Sequence, residues 1–252
     1  MKKCLLLIIV SLMVSIVFAQ NSMERFENAN ALYNDAKYAE AIDLYKSILD
    51  SGLESAELYF NLGNANYKLN NIAPSIFYYE KALLLSPNDP EIKNNLAFAQ
   101  NMTIDAIDTV PEVGFSKITK NIVNFYTADT WSTIAVAGVF IFVILFLLYH
   151  FARVTTKKRV AFIVSIIGLF IAIFSTVMAF QKERLDKKDN PAIVFAQESR
   201  VKSDPNRTSE ELFRLHEGTK VQVIDSYEDW YKVELADKTV GWVPSQDVRT
   251  IK

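Results

Sequence analysis

The sequence TWSTIAVAGVFIFVILFLLYHFA occupies residues 130–152, and VAFIVSIIGLFIAIFSTVMAFQ occupies residues 160–181. Neither run contains Asp, Glu, Lys or Arg. Because a helix rises about 1.5 Å per residue, either run is long enough to cross a hydrocarbon core of about 30 Å. Between them, RVTTKKR carries four positive charges over residues 153–159. The pattern predicts two transmembrane helices, residues 132–152 and 160–181, joined by a basic turn at residues 153–159.

The beginning of the chain has the features of a secretory signal peptide over residues 1–19. Lys2 and Lys3 precede a short apolar core, and Val17-Phe18-Ala19 offers small or modest side chains to a signal peptidase. Cys4 lies before the apolar core, whereas a lipoprotein signal needs a cysteine just after the cleavage point. Cleavage after Ala19 is favoured, and the alternative is retention as an uncleaved anchor. In both cases the residues after Gln20 are exported.

This assignment fixes the expected topology of the hairpin. If the residues after Gln20 are exported, the first long apolar helix returns the chain inward and the second sends it out again. The basic turn then faces the cytoplasm, in agreement with the positive-inside rule. The regions on both sides of the hairpin are therefore expected on the exported side of the membrane.

Charge and cysteine content exclude several classes of function. Removal of Cys4 with the signal peptide leaves no cysteine, which excludes a disulfide framework, thiol catalysis and a cysteine-based metal site in the mature chain. Residues 20–131 contain 8 Lys and Arg against 15 Asp and Glu. An acidic region of this kind is a poor match for phosphate backbones, so no nucleic-acid partner is expected.

An internal repeat precedes the hairpin. Residues 38–49, YAEAIDLYKSIL, align with residues 72–83, IAPSIFYYEKAL, at a shift of 34 positions. Before the second copy comes AELYFNLGNANYKL at residues 56–69, and SPND follows at residues 86–89. This pattern closely resembles the tetratricopeptide repeat. Seven of the eight signature positions match in kind, and Asn66 stands where the family usually has Tyr: the matches are Tyr59, Leu62, Gly63, Ser75, Tyr79, Ala82 and Pro87.

The repeat pattern agrees with the packing of paired helices. Small residues at Gly63 and Ala82 allow close approach of the helices, and Pro87 ends the second one. The opening helix of the first copy is a weaker match, and EIKNNLAFAQ at residues 91–100 is typical of a capping helix. The sequence therefore predicts an all-α tetratricopeptide repeat domain over residues 20–101.

The resemblance also indicates where a partner would bind. Proteins of this family hold a partner segment in a concave groove lined by the first helix of each pair. Lysines that would clamp a terminal carboxylate are replaced by phenylalanines, so the groove is expected to be neutral and aromatic and to take an extended or helical protein segment. Under the alternative interpretation, the two groove tyrosines only pack between helices. The family pattern assigns the groove positions to Phe26, Asn30, Tyr33, Phe60, Asn64, Tyr67 and Asn95.

Two short regions flank the hairpin. Residues 102–131 keep a loose helical spacing of apolar residues, interrupted by Pro111 and Gly114. Aromatic residues at the end of this region suit the headgroup level of a membrane. An amphipathic connector is predicted here, with a disordered linker as the alternative. A further linker is predicted at residues 182–190.

The region from residue 191 to 252 changes to alternating apolar and polar residues. Its strings LHEGTKV, DWYKV and GWVP occupy residues 215–221, 229–233 and 241–244. Period-two strands separated by short turns predict a compact antiparallel all-β barrel, and the strings resemble the bacterial SH3 domain. An aromatic shelf for a proline-rich peptide or a cell-wall glycopeptide is predicted, although its tryptophans could instead be half-buried wall residues. The shelf residues are Tyr227, Trp230, Tyr231, Trp242 and Pro244.

No pattern of residues typical of catalysis occurs in the chain. The sequence has no Walker loop, no dinucleotide fingerprint and no His-Glu pair at zinc spacing, and its two histidines are His150 and His216. A non-enzymatic protein without catalytic residues, cofactor or metal is therefore expected.

The order of the parts, signal, helical repeat, two-helix anchor and SH3-like barrel, is itself distinctive. It resembles the BatE-type proteins of bacterial aerotolerance operons. The resemblance implies a bacterial inner-membrane scaffold with periplasmic domains, partners among the other Bat-operon products, and a link to oxygen tolerance or envelope stress. A second hypothesis is a cell-wall-binding envelope sensor that contacts peptidoglycan through the SH3-like domain.

Overall fold

The computed structural model describes residues 22–105, 107 and 114–252. The predicted signal peptide and the central part of the predicted connector lie outside the described residues. The chain divides into two compact units. The first combines the region up to Asp108 with Asn190–Lys252, and the second is Thr109–Asp189.

Between residues 22 and 105, five helices form the first part of the first unit and confirm the predicted helical repeat region. Ser55 begins the third helix by accepting a hydrogen bond from the Leu58 amide at 3.0 Å. Asp89 begins the fifth in the same way, with Pro90 at its first position, where proline fits a helix well. The helices are residues 22–34 (α1), Tyr38–Asp50 (α2), Ala56–Lys68 (α3), Ile72–Leu85 (α4) and Pro90–Gln100 (α5).

The repeat signature residues lie at the contact between α3 and α4. Gly63 packs directly against the ring of Tyr79, and a Cβ atom on Gly63 would lie 2.6 Å from two ring carbons. The Ser75 hydroxyl donates a hydrogen bond to the Gly63 carbonyl at 3.0 Å. Tyr79, Ala82 and Leu62 are almost completely buried. The small, hydroxyl and aromatic residues of the signature thus fit one another across the helix pair.

The second part of the first unit is an antiparallel seven-stranded sheet, which confirms the predicted all-β SH3-like domain. The strand order is β3-β2-β6-β5-β4-β1-β7. A core of valines, alanine and leucines fills it, including the fully buried Val194, Val201, Val233 and Val243. A short 3-10 helix, Ser245–Asp247, follows β6. The strands are Pro191–Val194 (β1), Glu198–Lys202 (β2), Glu211–His216 (β3), Lys220–Tyr227 (β4), Trp230–Glu234 (β5), Val240–Pro244 (β6) and Val248–Thr250 (β7).

The chain segment that follows α5 reaches the sheet. The Asp105 carboxylate accepts hydrogen bonds from the His216 amide at 2.7 Å and from the Thr219 hydroxyl at 2.6 Å. The His216 ring nitrogen Nδ1 lies 2.7 Å from its other oxygen. Burial raises the pKa of Asp105, but the hydrogen bonds from Thr219 and His216 and the nearby His216 ring outweigh burial, so the net pKa is lowered. Asp105 therefore holds the turn between β3 and β4 as a carboxylate.

We expect this carboxylate to make the first unit sensitive to acid. A lowered pKa in the folded state stabilises the fold above the unfolded pKa of 3.8, and this contribution is lost as the pH falls through the folded pKa. Replacing Asp105 by Asn should cost about 1–3 kcal/mol at pH 7 and should flatten the loss of stability below about pH 4. Urea midpoints followed by tryptophan fluorescence between pH 2 and pH 7 measure both effects. Parallel pH profiles of the two proteins would contradict this role of Asp105.

In the part of the second unit that the structure describes, the helices are Phe115–Val123 (α6), Ala128–Phe151 (α7) and Thr155–Lys188 (α8). Both α7 and α8 are long and apolar enough to cross a membrane. Most of their apolar side chains are exposed, unlike those of a helix in a soluble core. At the contact between α7 and α8, a Cβ atom on Gly138 would lie 2.9 Å from the Gly168 carbonyl oxygen. Small residues therefore bring the two backbones into near contact.

The helix boundaries differ from the expected ones. Helix α8 has 34 residues and includes most of the predicted basic turn and most of the predicted linker at residues 182–190. Ion pairs between Lys182 and Asp186 at 2.6 Å and between Lys187 and Glu183 at 2.7 Å favour this continuation. Helix α7 begins at Ala128, so residues 128–131 of the predicted connector belong to it. The Trp131 indole donates to the Val123 carbonyl at 3.0 Å and joins α6 to α7.

Candidate partner-binding surfaces

Asparagines on the first helix of each pair form a hydrogen-bonded ladder. The Asn30 side-chain oxygen on α1 accepts from the Tyr45 hydroxyl at 2.5 Å and from the Asn61 amide at 3.0 Å. One repeat later, the Asn64 oxygen on α3 accepts from the Tyr79 hydroxyl at 2.6 Å and from the Asn95 amide at 2.9 Å. Each member of the second set lies 34 positions after its counterpart. The same three-residue arrangement is thus built twice.

The ladder leaves amide donors for a ligand. At Asn30 and at Asn64, both hydrogen bonds are accepted by the side-chain oxygen. The NH2 group of each asparagine therefore points away from its tyrosine partner. Among the described residues, neither Nδ2 atom has an acceptor. Half-buried amide N–H groups of this kind suit the carbonyl oxygens of a bound backbone. Asn61 belongs to this arrangement although the family pattern does not assign it to the groove; its 34-residue relation to Asn95 is the signal in the sequence.

Burial fixes the protonation of the ladder tyrosines. Tyr45 is 1% exposed, and burial, reinforced by Tyr33 and Glu57 and opposed by Asn61, raises its pKa to about 12. Burial likewise raises the pKa of Tyr79. The hydroxyls, which are protonated donors at neutral pH as in any tyrosine, therefore stay protonated into the alkaline range, and the asparagine oxygens stay engaged.

The predicted groove residues are distributed over three cavities. The first has a volume of about 220 Å³ and is lined by Tyr33, Asn64, Tyr67 and Asn95, together with Lys68, Tyr79 and Phe98. Four predicted groove positions therefore meet at one place. The Tyr33 ring also contacts the Tyr38 ring edge to face, with 5.2 Å between the ring centres. Tyr33 therefore both packs between helices and lines the cavity.

Phe26 and Phe60 occupy two further cavities that are related by the repeat. Phe26, with Asn30, lines a cavity of about 580 Å³ between α1 and the start of α3. Phe60 lines one of about 340 Å³ between α3 and the start of α5. Each phenylalanine ring lies beside the buried tyrosine of its own repeat. The ring centres are 5.8 Å apart for Phe26 and Tyr45 and 5.9 Å apart for Phe60 and Tyr79. Phe26 and Phe60 are 34 positions apart, so the two cavities are equivalent.

Carboxylates line both phenylalanine cavities. Glu27, Glu54 and Glu57 surround the Phe26 cavity. Glu57, Glu91 and Asp89 surround the Phe60 cavity. The surface is therefore aromatic and acidic at these two places, whereas the sequence predicted a neutral groove. The difference arises because several of these side chains come from the start of the neighbouring helix, Glu54 and Glu57 beside α1 and Asp89 and Glu91 beside α3, where acidic residues also stabilise the helix dipole.

The predicted aromatic shelf of the barrel divides between two faces of the sheet. Tyr227, Trp230 and Pro244 are cross-strand neighbours in one row, and Trp242 lies in the next row opposite Lys232. Because successive strand residues point to opposite faces, Tyr231 lies on the other side. It pairs with Val243 and packs against the buried core. Four of the five predicted residues therefore share the outer face, where Lys232 Nζ lies 5.7 Å from the Trp242 ring.

Comparisons with known proteins agree with both domains. Residues 56–89 match the family model described as tetratricopeptide repeat, and residues 198–249 match the model described as bacterial SH3 domain. A search of curated proteins gave no significant match. Among solved structures, the chain is similar to YrrB, described as a TPR protein with an unusual peptide-binding site. The sequence identity is 16% and the TM-score is 0.31, with 65% of this chain and 74% of the other chain covered.

These observations establish the architecture. A tetratricopeptide repeat region, two helices able to span a membrane and an SH3-like barrel make up the described chain. Tetratricopeptide repeats and SH3-like domains are typically non-catalytic modules that act in protein interaction. The chain is a binding protein of this general kind.

Proposed function

We propose that this protein is a non-enzymatic scaffold of the bacterial inner membrane that docks partner proteins through its repeat domain. The observation that carries the proposal is the asparagine–tyrosine–asparagine arrangement that recurs after 34 positions, at Asn30 and again at Asn64. Both copies hold their amide donors ready, so a bound backbone finds two equivalent anchoring points. Preorganised donors of this kind lower the entropy cost of binding.

The chemistry of the cavities defines the partner segment. The Phe26 and Phe60 rings offer apolar contact, and the carboxylates around them favour positive charge. Lys and Arg side chains satisfy both requirements, since an aliphatic stem packs on the ring and a cationic end meets the carboxylates. The segment we propose is therefore extended or helical, with exposed backbone carbonyls and basic residues at two positions.

The two long helices and the contacts of the first unit support the membrane placement that we propose. The repeats and the barrel touch through Asp105 and the turn at His216, which supports a placement of both on the same side of the membrane. A hairpin of two spanning helices between them meets this requirement. The basic residues Lys157, Lys158 and Arg159 lie near the start of α8, and the positive-inside rule favours a cytoplasmic position for them. Both domains are then periplasmic.

The resemblance to BatE-type proteins gives the proposal its biological setting. It rests on the order of repeat, two-helix anchor and SH3-like barrel. The partners we propose are other membrane or exported proteins, products of a Bat-type operon, in a complex linked to oxygen tolerance or envelope stress.

Site-specific crosslinking in intact membranes tests the docking function. A photoreactive residue at Tyr67, in the cavity with Asn64, is compared with one at Lys46, which is exposed on α2. We expect Tyr67 to capture one protein that Lys46 does not. Replacing Asn64 by Leu removes the amide donor and should reduce this capture about tenfold. Equal capture from Tyr67 and Lys46, or capture that is indifferent to Asn64, would refute docking in the groove.

A second candidate function, cell-wall binding by the barrel, is supported by the exposed aromatic row. Tyr227 is 54% exposed and lies beside Trp230 and Pro244, an arrangement suited to stacking on a sugar or a peptide. Purified peptidoglycan should then retain the detergent-solubilised protein and release the variant with Trp230 and Trp242 replaced by Ala. Equal retention of both proteins would exclude this surface as a cell-wall site.

A further inference from the structure

We propose that the barrel and the second repeat are one cooperative folding unit, with the outer surface of α4 as a docking surface whose permanent occupant is the chain's own C-terminal domain. The two long helices are then an insertion within this unit. The proposal is independent of what binds in the groove.

The two domains share a buried apolar core. Ile193 of β1 and Ile251, after β7, are at most 1% exposed and belong to the same cluster as Ile76 and Tyr79 of the repeats. Burying side chains of this size stabilises a fold by about 1.5–3 kcal/mol each. Each domain therefore completes the core of the other.

Aromatic and cationic side chains extend this contact at its edge. The Phe77 ring on α4 meets the Phe195 ring edge to face at 5.6 Å. The Arg249 guanidinium lies 4.3 Å from the centre of the Phe195 ring, on the side of β7. Edge-to-face ring pairs and cation–π contacts stabilise a fold beyond what the burial of apolar area contributes. They also fix the orientation of the barrel on α4.

At the turn between β3 and β4, only glycine fits against the repeat domain. Gly218 has a φ of +86°, a conformation that side chains disfavour. A Cβ atom there would lie 2.8 Å from Thr103 Cγ2 and 2.9 Å from Ile72 Cγ2. Space and backbone conformation therefore both require glycine at the point where the turn touches the repeat domain.

An ion pair between a nearly buried carboxylate and a half-exposed lysine closes the contact. Lys220 Nζ lies 2.7 Å from Glu80 Oε1, and the Glu80 side chain is only 11% exposed. Removal of the lysine would leave this carboxylate buried without its partner, which is strongly unfavourable. The pairing thus depends on both domains being in place.

The two repeats differ at the positions that face the barrel. Phe77 and Glu80 of α4 correspond to Asp43 and Lys46 of α2, 34 positions earlier. Asp43 and Lys46 are exposed on the outer side of the first repeat. The second repeat has replaced a solvated surface by an aromatic ring and an opposite charge. This change is what a surface adapted to a fixed internal partner requires.

Hydrogen exchange of the full-length chain in lipid nanodiscs, followed by mass spectrometry, tests the proposal. The variant Glu80→Lys places two lysines together and should raise exchange in β1 and β7 by about tenfold or more. The matched control, Lys46→Glu at the equivalent exposed position, should leave exchange in the barrel unchanged. The double variant Glu80→Lys with Lys220→Glu restores the opposite charges and should return exchange most of the way to the wild-type rate.

The unaltered protein provides a second measurement that does not depend on a variant. In increasing urea, slow amides of α4 and of β1 should converge on the same opening free energy, because one cooperative unit opens as a whole. Separate opening of the two domains, or barrel exchange that is indifferent to Glu80→Lys, would overturn the proposal. A Glu80→Lys protein that fails to fold but is rescued by Lys220→Glu would support it.

Discussion

Replacing Gly63 by alanine is expected to destabilise the repeat domain by at least about 2 kcal/mol. The added Cβ atom would lie 2.6 Å from two ring carbons of Tyr79, a distance that requires the ring or the helix to move. Alanine normally gains about 1 kcal/mol over glycine within a helix, so the substitution runs against the intrinsic preference. Urea unfolding of the full chain in nanodiscs, followed by far-ultraviolet circular dichroism, measures the change.

A double-mutant cycle identifies the cause. Tyr79→Leu removes the ring that the new methyl group meets, at its own cost in lost packing. If the clash is responsible, the double variant of Gly63→Ala and Tyr79→Leu will be more stable than the sum of the two single effects indicates. A Gly63→Ala protein as stable as the wild type would show that α3 and α4 are not held at this separation.

Alkaline pH is expected to destabilise the repeats strongly between about pH 10 and pH 12. In the folded state, burial raises the pKa values of five tyrosines above the ordinary 10.0, while the unfolded chain ionises near 10. The neutral phenol is the form the fold accommodates, so stability is complete below pH 10 and is lost as the pH rises through the folded pKa values. The five are Tyr33, Tyr45, Tyr59, Tyr78 and Tyr79.

The contribution of one residue can be separated from the rest. The pKa of Tyr45 is raised to about 12, which corresponds to a loss of about 2 kcal/mol across this range. Tyr45→Phe removes that loss and also the hydrogen bond to Asn30, so it should be about 1 kcal/mol less stable at pH 8. Urea midpoints from pH 8 to pH 12 compare the slopes. An equally steep alkaline loss in the variant would contradict a buried, protonated Tyr45.

Much of the candidate groove could be predicted from the sequence, because the repeat period locates it. The 34-residue spacing identifies Asn30 with Asn64 and Phe26 with Phe60, and the structure shows these pairs in equivalent environments. The same spacing identifies Asn61 with Asn95, a relation that assigns Asn61 to the ladder. The acidic lining was not predicted, because Glu57 reaches its cavity from the start of the neighbouring first helix.

In the barrel, strand alternation alone separates one residue from the predicted aromatic shelf. Trp230 and Tyr231 are adjacent in β5, and adjacent strand residues face opposite sides of a sheet. Tyr231 therefore had to point away from Trp230, toward the core. By contrast, the row of Tyr227, Trp230 and Pro244 depends on strand register, which hydrogen bonding across three strands sets.

The types and order of the parts follow from the amino-acid sequence. Apolar runs, a 34-residue period and strand alternation are all signals of contacts between residues that are close in the sequence. The length of α8 was predicted wrongly, because the apolar run ends at residue 181 whereas charge pairs four residues apart continue the helix to Lys188. The docking of the barrel on α4 has no such local signature. The contact between the two domains pairs Asp105 with His216, 111 positions later, and Glu80 with Lys220, 140 positions later. Only the folded chain brings these residues within hydrogen-bonding distance.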